Sequence, residues 1–198
     1  MFYERVIKRC IDVILALTGL VLLAIPMAIV AIVIKIESKG PVIFRQDRLG
    51  CKGKVYKMYK FRSMCVGAES GGVYSDNKDA RVTKVGRFIR ATSIDELPQL
   101  VNVLKGDMAL IGFRSPLTYH PWPWSEYTEE QKAMFNVRPG ITGWAQVNGR
   151  KTVEWHRRIE LNVWYAETVS FLLDLKIFFM TIGKVLLNLD NENVGSTV

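Results

Sequence analysis

Residues 13–34 read VILALTGLVLLAIPMAIVAIVI, 22 consecutive positions without a charge. As one straight helix this run would be roughly 33 Å long, about the hydrocarbon thickness of a bilayer. It is too long for a signal-peptide core, and no small-residue cleavage site follows it. Pro26 sits near its middle. Proline lacks a backbone donor and clashes with the preceding turn, so a break is expected there. Both flanks are basic, with Arg5, Lys8 and Arg9 before the run and Lys35, Lys39, Arg45 and Arg48 after it. A spanning helix normally keeps its positive flank on the cytoplasmic side only. Two readings stay open: a spanning helix, or a re-entrant hairpin that enters and leaves by the same face. Backbone groups freed at a break need protein partners.

The whole chain has 198 residues, with 27 Lys and Arg against 19 Asp and Glu, a formal charge of +8. With 49% hydrophobic residues it is not a disordered sequence. The basic balance suits phosphates, nucleic acid or an anionic leaflet without choosing among them. Cys10, Cys51 and Cys65 form no CxxC pair, and His120 and His156 are the only histidines. A structural zinc site is therefore not expected, and the scattered cysteines read as reduced thiols on the cytosolic side.

Beyond the apolar run, residues 41–44 and 55–61 read as short strands. Residues 39–62 hold eight basic side chains and one acid, Asp47. Directly after a membrane segment, such a tract is expected to meet anionic headgroups. Residues 69–79 read as a loop. Residues 81–89 read as a helix bearing Arg81, Lys84 and Arg87, with Arg90 just beyond. A second apolar helix covers 97–104 and ends at Gly106. Residues 119–124, with two prolines and two tryptophans, exclude regular helix, and tryptophans beside a membrane often sit at headgroup level. Residues 154–166 have helical spacing. Residues 171–187 are apolar but carry Asp174, Lys176 and Lys184, which fits a helix in the interface or on the core better than a second span.

Thr92-Ser93-Ile94-Asp95-Glu96-Leu97-Pro98 is the tract most able to carry chemistry. The plainer reading is a capping box, with Ser93 as cap and Glu96 three residues on. Against it, a helix starting at Ser93 would place Pro98 past the first turn. The chemical reading uses the divergence of adjacent helical residues. One carboxylate can attack phosphorus while the other helps to hold a metal. Magnesium is the natural metal, because it binds hard oxygens and bridges phosphates with few protein ligands. Arg90 is placed to neutralise a transferring phosphoryl group. Residues 137–150, VRPGITGWAQVNGR, read as a structured loop. Its glycines admit close approach of the backbone, and Arg138 or Arg150 can hold a diphosphate.

Taken in order, these motifs resemble the small monotopic polyprenol-phosphate phosphoglycosyl transferases, the PglC type, which form the catalytic core of the bacterial sugar transferase family. The likeness runs from about Tyr3 to Leu187. It is carried by Pro41-Val42-Ile43-Phe44-Arg45-Gln46 with Arg48 and Gly50, by Tyr59-Lys60-Phe61-Arg62-Ser63-Met64, and by Ser93-Ile94-Asp95-Glu96-Leu97-Pro98-Gln99-Leu100. Asn102-Val103-Leu104-Lys105-Gly106-Asp107-Met108, the loop 137–150 and Leu173-Asp174-Leu175-Lys176 complete it. One departure is Gly112-Phe113-Arg114-Ser115-Pro116, where many relatives read Gly-Pro-Arg-Pro.

The resemblance implies an α+β, mainly helical fold. Residues 1–38 would be a re-entrant helix broken at Pro26. Residues 39–190 would form a catalytic domain with interfacial amphipathic helices, seated on the cytoplasmic face of the bacterial inner membrane. Residues 191–198 would be a tail. It implies Asp95 as nucleophile and Glu96 as its partner, with Mg2+ near Asp95, Glu96 and Asp174. Arg90, Arg114, Arg138 and Arg150 are the expected substrate contacts. The implied reaction moves a phospho-sugar from a UDP-sugar, an N-acetylated hexose by resemblance, to polyprenol phosphate in two steps through Asp95. The implied partners are these substrates and a phospholipid membrane, without nucleic acid; a homodimer stays open. The competing reading is a non-enzymatic basic module on anionic lipid or nucleic acid. It gives the Asp-Glu pair no role. A third is direct transfer in a ternary complex.

Overall fold

The apolar run does break, but upstream of its proline. The computed structural model describes residues 2–72, 79–149 and 154–186. A π-helical turn, Tyr3–Ile7, leads into α1 (Lys8–Leu22), and α2 (Ala24–Glu37) follows after one residue. The arms Tyr3–Leu22 and Ala24–Glu37 meet at 62°. Leu23 carries the break, at φ −96° and ψ 6°. Pro26 lies in the first turn of α2, where a backbone N–H has no partner within the helix to lose. The carbonyl it cannot serve is that of Leu22, where α1 stops. The expected break at Pro26 is thus corrected to Leu23. Among the described residues no single helix is long and apolar enough to cross a bilayer, whereas the bent pair together has that length and composition.

The chain continues through β1 (Ile43–Leu49), β2 (Val55–Phe61), α3 (Lys84–Ala91), α4 (Gln99–Lys105) and β3 (Ala109–Ile111). Then come α5 (Glu129–Lys132), β4 (Gly140–Thr142), α6 (Trp144–Val147), α7 (Trp155–Thr168) and α8 (Phe171–Leu186). β1 and β2 pair antiparallel from Ile43↔Phe61 to Leu49↔Val55. β3 and β4 pair parallel. Among the described residues the result is mainly helical with two small sheets, the α+β arrangement expected. Strand β2 lies where the sequence predicts it. β1 runs past 44 because Arg45 and Asp47 face solvent while Gln46 and Arg48 turn to the more sheltered face, a polar alternation that hides the strand.

Each arm of the bent pair holds one helix in place. α1 rests on α4 and β3, with Ala16 fully buried. Arg9 donates to the carbonyls of Val103 and Leu104 at 2.6 and 3.0 Å, serving acceptors in the last turn of α4. Asp12 accepts from the Leu110 N–H at 3.1 Å. α2 packs on α3, where Glu37 accepts from the N–H groups of Lys84 and Val85 at 2.7 and 3.2 Å. Thr83 caps the same helix through Gly86 N at 2.9 Å, so α3 begins after Arg81. Gly106, at φ 89°, ends α4 as the sequence predicts.

The main core gathers Phe113, Tyr127, Phe135, Ile159, Tyr165 and Ile177. Trp122 and Trp124 pack against it, with ring centroids 5.7 Å from Tyr127 and 4.9 Å from Phe135. Their rings are thus part of the fold. The glycines of residues 137–150 approach backbone: a Cβ on Gly143 would collide with the Gly112 carbonyl. α8 turns Ile177 inward and leaves Phe171, Leu172, Phe178 and Phe179 exposed. Of the expected loop 69–79, residues 73–78 lie outside the described residues, as does the tail.

Candidate active site

The helix that the capping-box reading would start at Ser93 does not start there. Ser93 sits in the left-handed region at φ 58°, and its side chain caps nothing. It reverses the chain after α3 and feeds a 3-10 turn, Ile94–Glu96. Pro98, at φ −60°, then sits at the N-cap of α4, where a missing N–H costs little. The turn therefore hangs between α3 and α4, the two helices gripped by the two arms of the bent pair.

Asp95 is buried to 8% exposure in this turn. Burial raises its pKa above the usual carboxylate value, and the Glu96 charge adds to the rise; Lys60, Arg90 and Arg114 pull it back. Glu96 shares two of these cations. Its Oε1 lies 2.8 Å from Lys60 Nζ and 3.8 Å from Arg114 Nη1. Arg90 is steered by Ser63, whose hydroxyl accepts from its Nε at 2.8 Å. The pairing of turn and hairpin is fixed by Asn102 on α4, fully buried. Its Oδ1 accepts from Tyr59 N at 2.9 Å, and its Nδ2 donates to the Lys57 carbonyl at 2.8 Å. An amide that serves a donor and an acceptor on one edge of β2 acts as a short piece of neighbouring strand.

Of the expected site residues, the structure brings Asp95, Glu96, Arg90 and Arg114 together. Arg138 donates its Nε–H to the Gly106 carbonyl at 3.1 Å, closing the end of α4. Arg150 lies outside the described residues. Asp174 is held in a separate buried network, accepting from Tyr3 and Lys8 on Oδ2 and from Tyr165 on Oδ1, each at 2.7 Å. Its oxygens are engaged by these three donors, from the first helical segment and α7. No three of His, Cys, Asp or Glu cluster for a metal among the described residues. The expected three-carboxylate grouping is corrected to the pair Asp95 and Glu96. That pair still fits magnesium, which takes one or two protein carboxylates and fills its shell with water and phosphate oxygens.

Lys60 and Arg48 are site residues that the sequence reading missed. Lys60 follows Tyr56 and Met58 on alternate positions of β2, and a lysine in register with two buried side chains was the available signal. Much of the basic tract 39–62 is likewise used internally. Arg62 is buried and donates to the carbonyls of Lys39 and Ser38, and Arg48 and Lys60 line a cleft with Met58, Gln99 and Arg114.

Lys60 is the largest influence holding Asp95 down. Lys60→Met should therefore move the acid limb of kcat/KM, which reports the free enzyme, to higher pH. Below that limb Asp95 is protonated. A limb that stays put in a folded Lys60→Met enzyme would contradict the coupling.

Comparison with known proteins completes the site. A family model described as bacterial sugar transferase matches residues 3–188. The uncharacterized sugar transferase EpsL of Bacillus subtilis is 44% identical over 92% of this chain and 89% of its own length. The UDP-glucose:undecaprenyl-phosphate glucose-1-phosphate transferase of Escherichia coli is 42% identical over 93% of this chain. The UDP-N-acetylgalactosamine-undecaprenyl-phosphate N-acetylgalactosaminephosphotransferase of Aeromonas hydrophila is 40% identical over 91%. This chain covers 41% and 44% of the lengths of these last two. With a match over nearly the whole sequence, and a buried Asp-Glu turn ringed by cations, the chain belongs to the bacterial sugar transferase family.

Proposed function

We propose that the chain is a phosphoglycosyl transferase of the PglC type, moving a hexose 1-phosphate from a UDP-hexose to polyprenol phosphate. The observation that carries this reading is the buried Asp95 carboxylate held among Lys60, Arg90 and Arg114. The relatives' names supply the substrate classes: UDP-glucose or UDP-N-acetylgalactosamine, and undecaprenyl phosphate.

Asp95 attacks the β-phosphorus of the donor, the bond to the α-phosphate oxygen breaks, and UMP leaves. A polyprenol phosphate oxygen then attacks the same phosphorus, the bond to Asp95 breaks, and polyprenol diphosphate sugar is formed. Lys60 and Arg114 orient Glu96, and Arg90 faces the transferring group as charge builds there. Burial of Asp95 keeps competing water away. Magnesium, held by Asp95 and Glu96 with substrate phosphates, supplies charge neutralisation when bound.

The bent helix pair is read as re-entrant, dipping into the cytoplasmic leaflet of the bacterial inner membrane, with the exposed apolar face of α8 on the same surface. That arrangement lets one carboxylate reach a soluble nucleotide sugar and a lipid phosphate. Magnesium-dependent UMP release, measured over a panel of UDP-glucose, UDP-galactose and their N-acetylated forms, tests the reaction and finds the sugar. A chain that releases no UMP from any of them is not this enzyme. Release that requires polyprenol phosphate, with no trapped adduct, would favour the ternary complex instead.

A further inference from the structure

Three cations line the cleft beside the dyad: Arg48, Lys60 and Arg114. Two of them face a carboxylate, since Lys60 and Arg114 both approach Glu96 Oε1. Arg48 is tied to neutral oxygens instead. Its Nε and Nη2 donate to Gln46 Oε1 at 3.0 and 2.6 Å, and its Nη1 donates to the Ser115 carbonyl at 2.9 Å. A guanidinium has five N–H groups, so donors remain after these three bonds. Gln46 and Arg48 are two apart on β1 and therefore share one face of the hairpin.

This cation is costly to the ligand-free protein. Burial, with the like charge of Arg114, pushes Arg48 down to about 10. Around the dyad, Arg48, Lys60, Arg90 and Arg114 stand against Asp95 and Glu96, leaving two formal positive charges over. An excess of positive charge around a cleft suits a phosphate oxyanion. The fold does not depend on Arg48 to hold its neighbouring loop. Leu49 N donates to the Pro116 carbonyl at 3.1 Å, and the Ser115 hydroxyl donates to the Leu49 carbonyl at 2.6 Å.

We propose that Arg48 is a phosphate-binding residue of this site, offering its remaining N–H groups, with Arg114, to an oxyanion of the incoming substrate. The proposal rests on the transferase reading and extends it to a residue outside the dyad motif. The oxyanion belongs either to the donor diphosphate or to the acceptor monophosphate, and the two half-reactions separate these sources.

The test uses the full chain in lipid nanodiscs. UMP release from the UDP-sugar is measured without acceptor, and transfer from labelled enzyme to undecaprenyl phosphate is measured alone. In Arg48→Gln the half-saturating concentration of one phosphate substrate should rise about tenfold or more, the loss of one charge-assisted hydrogen bond. The maximal rate should change far less. Arg48→Lys, which keeps the charge but not the fork, should fall between. A rise for the UDP-sugar assigns the donor diphosphate, and a rise for undecaprenyl phosphate alone assigns the acceptor. Unchanged half-saturation for both overturns the proposal. So does a loss of maximal rate alone, which would mean that Arg48 only props the Ser115 loop. Inorganic pyrophosphate binding, followed by calorimetry, keeps the question separate from the reaction. If wild type releases no UMP, the transferase reading falls, while Arg48→Gln must still weaken pyrophosphate about tenfold for the subsite to stand.

Discussion

Asp95→Asn is expected to lower UMP release by about four orders of magnitude or more, the scale on which removal of a catalytic nucleophile is felt. It should also abolish labelling of the protein by a donor carrying radioactive β-phosphate. The substitution is close to isosteric, so packing around the 3-10 turn has no reason to fail. Stability should move the other way from activity. Asp95 has a raised pKa in the folded state, so ionising it at neutral pH opposes folding, and that penalty lifts as pH falls and the carboxyl is protonated. Asparagine removes the buried charge at every pH. A melting temperature at or above that of the wild type near neutrality, beside a dead enzyme, is the combined result expected. Near-normal turnover in a folded Asp95→Asn enzyme would rule out covalent catalysis there.

Asp174→Ala should cost about 3–5 kcal/mol of stability, the usual effect of removing one partner of a buried ion pair. Lys8 and Asp174 retain only 10% and 8% of their side-chain exposure. The carboxylate also accepts from Tyr3 and Tyr165, so its loss strands Lys8 and Tyr3 and leaves Tyr165 only the Ile111 carbonyl at 3.3 Å. Undocking of the first helix should follow, seen as faster proteolysis at its start and a lower unfolding midpoint. The double variant Lys8→Met with Asp174→Leu should recover part of the loss, because an apolar pair strands no charge. The magnesium concentration for half-maximal UMP release should stay unchanged in Asp174→Asn. A tenfold rise there with stability intact would return Asp174 to the metal.

Much of the site was legible because it is local. Asp95 and Glu96 are neighbours, and Pro98 already argued against a helix starting at Ser93. The hairpin strand at 55–61 showed through its alternation, and Gly106 marked a helix end. What was hidden depends on contacts between distant segments. Lys60 acquires its role only when Asn102 brings β2 against α4. Asp174 looked like a metal ligand within its own motif and becomes a structural acceptor only when Tyr3 and Lys8 arrive from the other end of the described chain. The bond from Arg138 Nε to the Gly106 carbonyl likewise joins segments that only the fold brings together. The proline break was correct in cause and displaced in position, since proline acts on the carbonyl four residues before it.

The Lys8–Asp174 tie joins residues 166 apart in the chain. A ribosome delivers the lysine first, and at ordinary elongation rates the aspartate follows only after on the order of ten seconds or more. Through that interval the amino-terminal segment has no buried counter-ion and no finished surface to lie on. Its final seating is therefore a late event of biosynthesis, one that waits until Asp174 has been made. Whatever shields its greasy residues in the meantime has to release them on that schedule.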